Sequence, residues 1–492
     1  MSISQNYYLY LKQTLKFAKK SPCISNFSNF VLMESATKQS ENLKELSEAP
    51  IGRLLWKYSL PAVVGMLVMS LYNIIDRIFI GQWVGPEAIA GLAITFPVMN
   101  LSAALGVLIG AGGAARISIL LGAKDHKGAQ AVLGNALVLL SLIICCYLTV
   151  FAVFIDDILL AFGASQVTLP YARDFMLYIL PGMFMTNFAF TFNNFMRASG
   201  YPVRAMVTMF IGALSNLLLA PIFIYYLEMG IKGAAIATDI SMGISAFFVL
   251  SHFFKKSSTL HFLPDKTMYS LRMRVFVPML SIGAAPSLVN AAACFINVII
   301  NKTLYAHGGD TAVAAAGIFT TYTSLMTMVV VGICQGMQPI IGYNYGAGLI
   351  HRLRRTFWLA VGVSTLIVTT GQIIGLTMPA YIGRAFTTDA GLIAETSRCL
   401  HISLLAFTVV GFQIVATTLF QSIGKASASI FLSLTRQVLF LIPLLLILPS
   451  EYGLDGVWAA FPMSDIIATV VTAVMVGWQL ARFKKSEQYA LA

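Results

Sequence analysis

Charge is what this sequence has least of. Only 11% of its 492 residues are Asp, Glu, Lys or Arg, where soluble domains carry about 25%. With 58% hydrophobic residues and a mean hydropathy of +0.80, a soluble globular chain is excluded. Cysteines number six: Cys23, Cys145, Cys146, Cys294, Cys334 and Cys399. None forms a CxxC or a Cys/His cluster, so zinc and a disulfide framework are not expected, and the thiols read as buried and apolar. The six histidines (His126, His252, His261, His307, His351 and His401) are dispersed near loops or segment ends. An intramembrane enzyme would need such groups to converge. A P-loop is also missing, so any transport must draw on an ion gradient rather than ATP.

What is present is a succession of apolar stretches, each near the ~20 residues that cross a bilayer. Twelve are read at 58–80, 89–113, 131–155, 171–195, 203–226, 233–254, 276–304, 312–336, 356–378, 399–420, 428–448 and 456–480. The predicted fold class is therefore an all-α integral membrane protein with twelve transmembrane helices.

The formal charge of +12 is an orientation signal rather than a nucleic-acid surface. With the N-terminus inside, 18 Lys and Arg between the helices and in the C-terminal tail fall on the cytoplasmic side. Arg197, Arg352, Lys425, Arg436 and Arg482 are among them, and only 6 fall opposite. This bias predicts two cytoplasmic termini. The expected organisation is a largely disordered N-terminal extension over 1–50, a six-helix lobe over 51–254 and a cytoplasmic linker over 255–275. A second lobe over 276–481 and a tail over 482–492 complete the chain. The extension is basic and aromatic without the apolar core of a signal peptide, and a short interfacial helix within it is expected. "MESATKQSENLKEL" makes an ordinary cytoplasmic lead-in, so Met33 is expected to be the true start.

The chain repeats itself. "LPAVVGMLVMSLYNIID" places Pro61 fifteen residues before Asp76, and "APSLVNAAACFINVIIN" places Pro286 fifteen before Asn301. Gly112, Gly122 and Gly200 match Gly336, Gly346 and Gly424 at one constant offset, and "GIKGAAIATD" parallels "GLDGVWAAFP" through Gly233 and Gly456. Ordered matches of this kind mark a duplicated unit. Six helices per unit give both halves the same orientation, related by a pseudo-two-fold axis along the membrane normal, with a cavity between them suited to alternating access.

Pro61, "YNIIDRIFIGQWVG", "GAGGAARISILLGAKD", "FMRASGYP", "NLLLAPIFIY", "GAAIATD" and "QGMQPIIGYNYGA" resemble the multidrug and toxic compound extrusion (MATE) family. The similarity is nearest to its DNA-damage-inducible-type branch and extends from about Ile51 to Phe483. It implies a V-shaped twelve-helix exporter in a bacterial inner membrane. Such a protein expels organic cations or other amphipathic drugs in exchange for protons or sodium ions. It has no cofactor, no nucleic-acid partner and no enzymatic activity, and it is expected to be a monomer in the lipid bilayer.

Asp76 is the first site candidate, because acids inside membrane segments are costly and mark function by default. On a helix Tyr72, Asn73, Asp76 and Ile80 share a face, while Arg77 points about 100° away and can snorkel outward. A carboxylate taken out of water holds its proton more tightly, whereas a bound cation favours the ionised form. The opposing account is an acid at the outer helix end, paired with Arg77 or solvated. The resemblance places the acid at this position in the cation site of the N-terminal lobe. It completes that site with Asn216, an acid four residues later and Thr238. Here the second acid is missing, because Ala220 stands at its place. Asp239 beside Thr238 has two readings: it takes over part of the missing carboxylate's role, or it caps or pairs near the outer end of its helix. Losing one acid favours protons over sodium, since sodium wants several oxygen ligands; Asp76 remains the one place for a sodium ion.

In the second half, neutral Asn301 replaces Asp76 and Lys302 replaces Arg77, so ion coupling is expected in the first half alone. A substrate cavity is expected to draw on Met66, Met69, Phe188, Phe192, Asn193, Gln335 and Gln413, because flexible methionines and aromatics suit loose binding of many ligands. Each could equally be packing. Arg436 reads as a cytoplasmic-end anchor. Pro61 either bends its helix or starts it. The alternative function is a flippase for a lipid-linked saccharide of the same superfamily. That function would call for several arginines in the central cavity, whereas here the basic residues gather at helix ends.

Overall fold

The computed structural model describes residues 43–491 apart from 85, 166–167 and 256–257. Met33 and the first 42 residues lie outside that set. The described residues form helices and turns, with no strand among them. The first lobe is built of α1 (Ile51–Trp83), α2 (Pro86–Gly122), α3 (His126–Val153) and α4 (Leu169–Ala198). It is completed by α5 (Pro202–Pro221, continuing as a π-helical turn over Ile222–Tyr226) and α6 (Gly230–Phe254).

The second lobe opens with a continuous helical run, Met273–Gly346, broken at Gly309 (φ 62°, ψ −158°) into α7 and α8. Next come α9 (Ile350–Thr377) and α10, a bent pair of Ala390–Ser403 and Thr408–Ser422 that turns by 59°. α11 starts at Ala426 and passes through a π-helical segment, Thr435–Leu441. Gly453 (φ 56°, ψ −135°) then divides α11 from α12. Gly309 and Gly453 adopt a backbone that residues bearing a Cβ avoid, and each lets the chain break from one helix into the next without an intervening loop. By length and composition alone, nine helices among the described residues can span a membrane. Dividing two of them at these glycines and joining the bent pair of α10 yields twelve, as the sequence led us to expect.

The repeated glycines are the seam between the lobes. Gly112 on α2 lies against the Met279 carbonyl of α7, and its repeat partner Gly336 on α8 lies against Ser59 of α1. Gly122 on α2 meets Tyr343 of α8, while Gly346 on α8 meets Ile119 of α2. A Cβ at any of these positions would overlap the neighbouring backbone or side chain. Gly283 of α7 likewise abuts the Leu108 carbonyl. Matched residues thus make exchanged contacts, α2 on α7 and α8 on α1, as a pseudo-two-fold axis requires. Within each lobe Gly233 lets α6 approach Phe223, and Gly456 lets α12 approach Leu448.

Two connecting segments are more structured than the sequence suggests. Residues 43–48 of the N-terminal extension are helical, and Leu46 is fully buried in the core of the second lobe. Asn344 Nδ2 donates to the Leu46 carbonyl (3.1 Å) and Arg352 Nη2 to that of Ala49 (2.6 Å). Leu43 packs against the cores of both lobes. In the linker, Gln130 Nε2 donates to the His261 carbonyl (2.5 Å) and Asn135 Nδ2 to that of Met268 (3.3 Å). The Arg272 N–H returns a bond to Asn135 Oδ1 (3.0 Å). The linker therefore belongs to the first lobe rather than hanging between the two. Cys334 and Cys399 are buried, but Cys145 and Cys146 are exposed on α3, which corrects the expectation of buried thiols there.

Candidate ion and substrate site

α1 carries two working faces. One of them, bearing Ser59, Val63, Met66 and Ser70, meets α8 of the other lobe. The other turns toward α5 and carries Val68, Leu71, Tyr72, Ile75 and Asp76 along a cleft of about 270 Å³. Phe210, Ala213, Leu214, Asn216 and Leu217 of α5 form the opposite wall. The separation follows from helical spacing, since positions three or four apart stack on one side.

Four predicted site residues converge here. Asn216, buried at 2% exposure, donates through Nδ2 to Thr238 Oγ1 at 3.0 Å. Thr238 donates its own hydroxyl hydrogen to the Ala234 carbonyl, also at 3.0 Å. The Tyr72 phenol lies near the Thr238 hydroxyl and within the electrostatic reach of Asp76. A carboxylate from α1, an amide from α5, a hydroxyl from α6 and a phenol thus share one space with otherwise apolar walls. The side chains of Asn73 and Arg77 lie outside the described set.

Asp239 goes elsewhere. One residue beyond Thr238, it is rotated about 100° around α6 and rests against the backbone of Gly182 on α4, beside Pro181. It therefore does not stand with Asn216 and Thr238, because a helix turns adjacent residues toward different neighbours. Ala220, where the resemblance expects a second acid, is fully buried in an apolar cluster with Ile224 and Ala234.

The predicted cavity residues separate in the same way. Phe188 and Phe192 are core: Phe192 is fully buried, with ring contacts to Phe188, Phe195, Phe253 and Phe262. Asn193 is spent on the Ala205 carbonyl, to which it donates at 2.6 Å. Met66 and Gln335 sit at the lobe seam, where Gln335 Nε2 reaches Met66 Sδ (3.7 Å) and its Oε1 accepts from Arg197. Arg197 is 4% exposed and also donates to Asn194 (2.9 Å), so it is a buried cross-lobe tie, not a loop charge. Gln413 is buried in the second lobe, and among the described residues neither of its amide atoms meets a hydrogen-bond partner. Met69 is half-buried on α1. Pro61 is buried in the interior of α1, so it does not start the helix.

One functional candidate was missed. Arg436 is no cytoplasmic anchor: its Nε donates to Asp465 Oδ1 at 2.6 Å, linking the π-helical segment of α11 to α12. Asp465 is 3% exposed. At about 1.5 Å per residue, Arg436 lies about 15 Å along α11, well inside the span. The signal was available, because Asp465 is an acid within an apolar stretch and invites the same suspicion as Asp76. What the sequence could not supply was its partner.

Comparison with known proteins agrees with this geometry. The MatE family profile matches residues 61–222 and 269–447, more than half of the chain. The chain belongs to the MatE family. It is 26% identical over 449 residues to multidrug export protein MepA of Staphylococcus aureus (strain MRSA252), covering 89% of this chain and 96% of that one. Among solved structures, the MATE multidrug transporter DinF-BH is similar at 37% identity. That match has a TM-score of 0.80 and covers 86% of this chain and 95% of that one. An outward-facing MATE family transporter of the MOP superfamily matches at 25% identity and TM-score 0.84, over 90% and 98% of the two chains. These relatives place the chain among multi-pass membrane transporters with twelve helices in two lobes.

Proposed function

We propose that this protein is a secondary active multidrug efflux transporter of a bacterial inner membrane. It exports cationic or amphipathic organic compounds by antiport with protons or sodium ions, rocking two lobes about a central site. The observation that carries this reading is the convergence of Asp76, Tyr72, Asn216 and Thr238 in a cleft walled by apolar side chains. In such a cleft a carboxylate has two ways to be neutralised, by a proton or by a bound cation, and each excludes the other. Competition for one charge is enough to exchange a proton for an organic cation. Ala220 removes a potential oxygen ligand, which favours the proton over sodium. The names of MepA and DinF-BH, a multidrug export protein and a multidrug transporter, support the substrate class.

The seam formed by Gly112, Gly122, Gly336 and Gly346 lies toward the ends of α2 and α8 that enter the basic loops after Gly122 and Gly346. Under the positive-inside rule that end is cytoplasmic, which makes this an outward-facing state with both termini inside. The deciding experiment is ethidium efflux from energised vesicles with imposed proton or sodium gradients, comparing the native protein with Asp76→Asn. The native protein is expected to respond to the proton gradient and the variant to lose that response. Full gradient-driven efflux by the variant overturns the reading.

A further inference from the structure

At the cytoplasmic end of the second lobe two cations sit side by side on one aromatic ring, and among the described residues neither is in an ion pair. Lys425 follows Gly424 (φ 76°) in the turn between α10 and α11, and Arg482 lies on the last turns of α12. Both converge on one indole. The Arg482 guanidinium stacks 3.5 Å from the Trp478 ring centroid, and Lys425 Nζ lies 5.9 Å from it. Lys425 is steadied by a 2.5 Å hydrogen bond to Gln479 Oε1. Among the described residues neither cation has a carboxylate within 4.0 Å, although five other Lys and Arg do. Partial burial and the neighbouring Arg482 charge together hold the Lys425 ammonium below its usual pKa. Two like charges fastened to the same ring are relieved by an anion set between them.

What lies next to this pair identifies the anion. Trp478 is 56% exposed and ends an outward stripe along α12 that continues through Val474 (69%), Val470 (59%) and Ile466 (51%). Phe431 and Leu439 of α11 are exposed as well. From Trp478 to Ile466 the stripe runs about 18 Å at 1.5 Å per residue, close to one leaflet of a ~30 Å hydrocarbon core. Phe483, between the cations and the lobe, turns inward against Tyr345, so Arg482 and Trp478 face outward. An indole at the interface, cations above it and an apolar stripe below match a phospholipid from head to tail. A free phosphate would have no use for the stripe.

We propose that Lys425, Arg482 and Trp478 form a binding site for the phosphate headgroup of an anionic phospholipid of the cytoplasmic leaflet, with its acyl chain along α12. The site ties the start of α11 to the end of α12 through the lipid. The inference rests on membrane embedding and on the orientation given above, not on drug export, so its failure leaves the efflux reading standing.

The test is native mass spectrometry of the full chain, delipidated in detergent and titrated with phosphatidylglycerol, phosphatidylcholine or soluble glycerol phosphate. The native protein is expected to retain phosphatidylglycerol in preference to phosphatidylcholine, with glycerol phosphate unable to displace it. Lys425→Gln and Arg482→Gln are each expected to weaken phosphatidylglycerol binding about fivefold. Lys425→Arg should restore it, and Lys127→Gln at the start of α3 should leave it unchanged. Thermal unfolding in phosphatidylcholine checks that the variants remain folded. Equal binding of the two lipids, an unaltered affinity when Lys425→Gln and Arg482→Gln are combined, the same loss in Lys127→Gln, or displacement by glycerol phosphate would each overturn the proposal.

Discussion

The two lobes share a skeleton and differ in where they keep charge. Gly112 and Gly336 make the same contact from opposite sides of the seam, and Gly233 and Gly456 admit the same helix approach within each lobe. The polar groups do not follow this symmetry. In the first lobe Asp76 stands in a cleft with Tyr72 and Asn216, whereas its counterpart Asn301 is exposed on α7. Where α5 meets α6, Gly212 packs on Ser245; where α11 meets α12, Arg436 is paired with buried Asp465. Duplication preserved the positions where backbones touch, because a Cβ there is a clash in either copy. Side chains that face a cavity or a neighbouring helix were free to diverge, and one lobe came to hold an acid along a cleft and the other a closed ion pair.

The sharpest way to break this comparison is to move the acid. Asp76→Asn is expected to lower proton-driven ethidium efflux at least about tenfold, a loss of about 1.4 kcal/mol or more in driving interaction. Adding Asn301→Asp to that variant is expected to restore none of it. Recovery of efflux in the double variant would show that the lobes are functionally interchangeable.

Next in size is the ion pair of the second lobe. Asp465→Asn alone leaves the half-buried Arg436 without its counter-charge and is expected to cost about 2–3 kcal/mol, read as a lower thermal unfolding temperature in detergent. Arg436→Met combined with Asp465→Leu should return close to native stability, because apolar replacements remove both desolvation penalties. A double variant as unstable as the single one would mean that the pair organises more of the lobe than its own contact.

The seam tests the symmetry itself. Gly112→Ala and Gly336→Ala each force a methyl group into a backbone contact, with an expected cost of about 1–3 kcal/mol. The two losses should be alike within the scatter of unfolding measurements. A large inequality would show that the pseudo-two-fold relation does not extend to packing energy. The smallest effect is expected at Asp239. Facing Gly182 rather than Thr238, Asp239→Asn should change proton-driven uptake or efflux less than twofold, and a collapse of coupling would return it to the site.

Much of the architecture was legible before any coordinates. Apolar length led to twelve spans, and the spacing of Gly112, Gly122, Gly200 and Gly233 announced the duplication. The site was only partly legible. Asp76, Asn216 and Thr238 were picked out and do converge, but Phe188, Phe192 and Asn193 proved to be packing groups. Aromatic and amide side chains look the same in a sequence whether they line a cavity or fill a core. Of the two readings left open for Asp239, its nearness to Thr238 along the chain was a weak guide, because a helix turns adjacent residues about 100° apart.

By itself, then, the sequence determined that this chain crosses a membrane, how many times, and that it does so as two copies of one unit. Those properties depend on composition and periodicity, which each segment carries locally. Tertiary structure alone decided which polar groups meet. Asp465 finds Arg436 across 29 residues of chain, and Arg197 finds Gln335 across 138. Such pairings depend on which faces of rigid helices are turned together, and that is settled by how glycine-lined seams let their backbones approach.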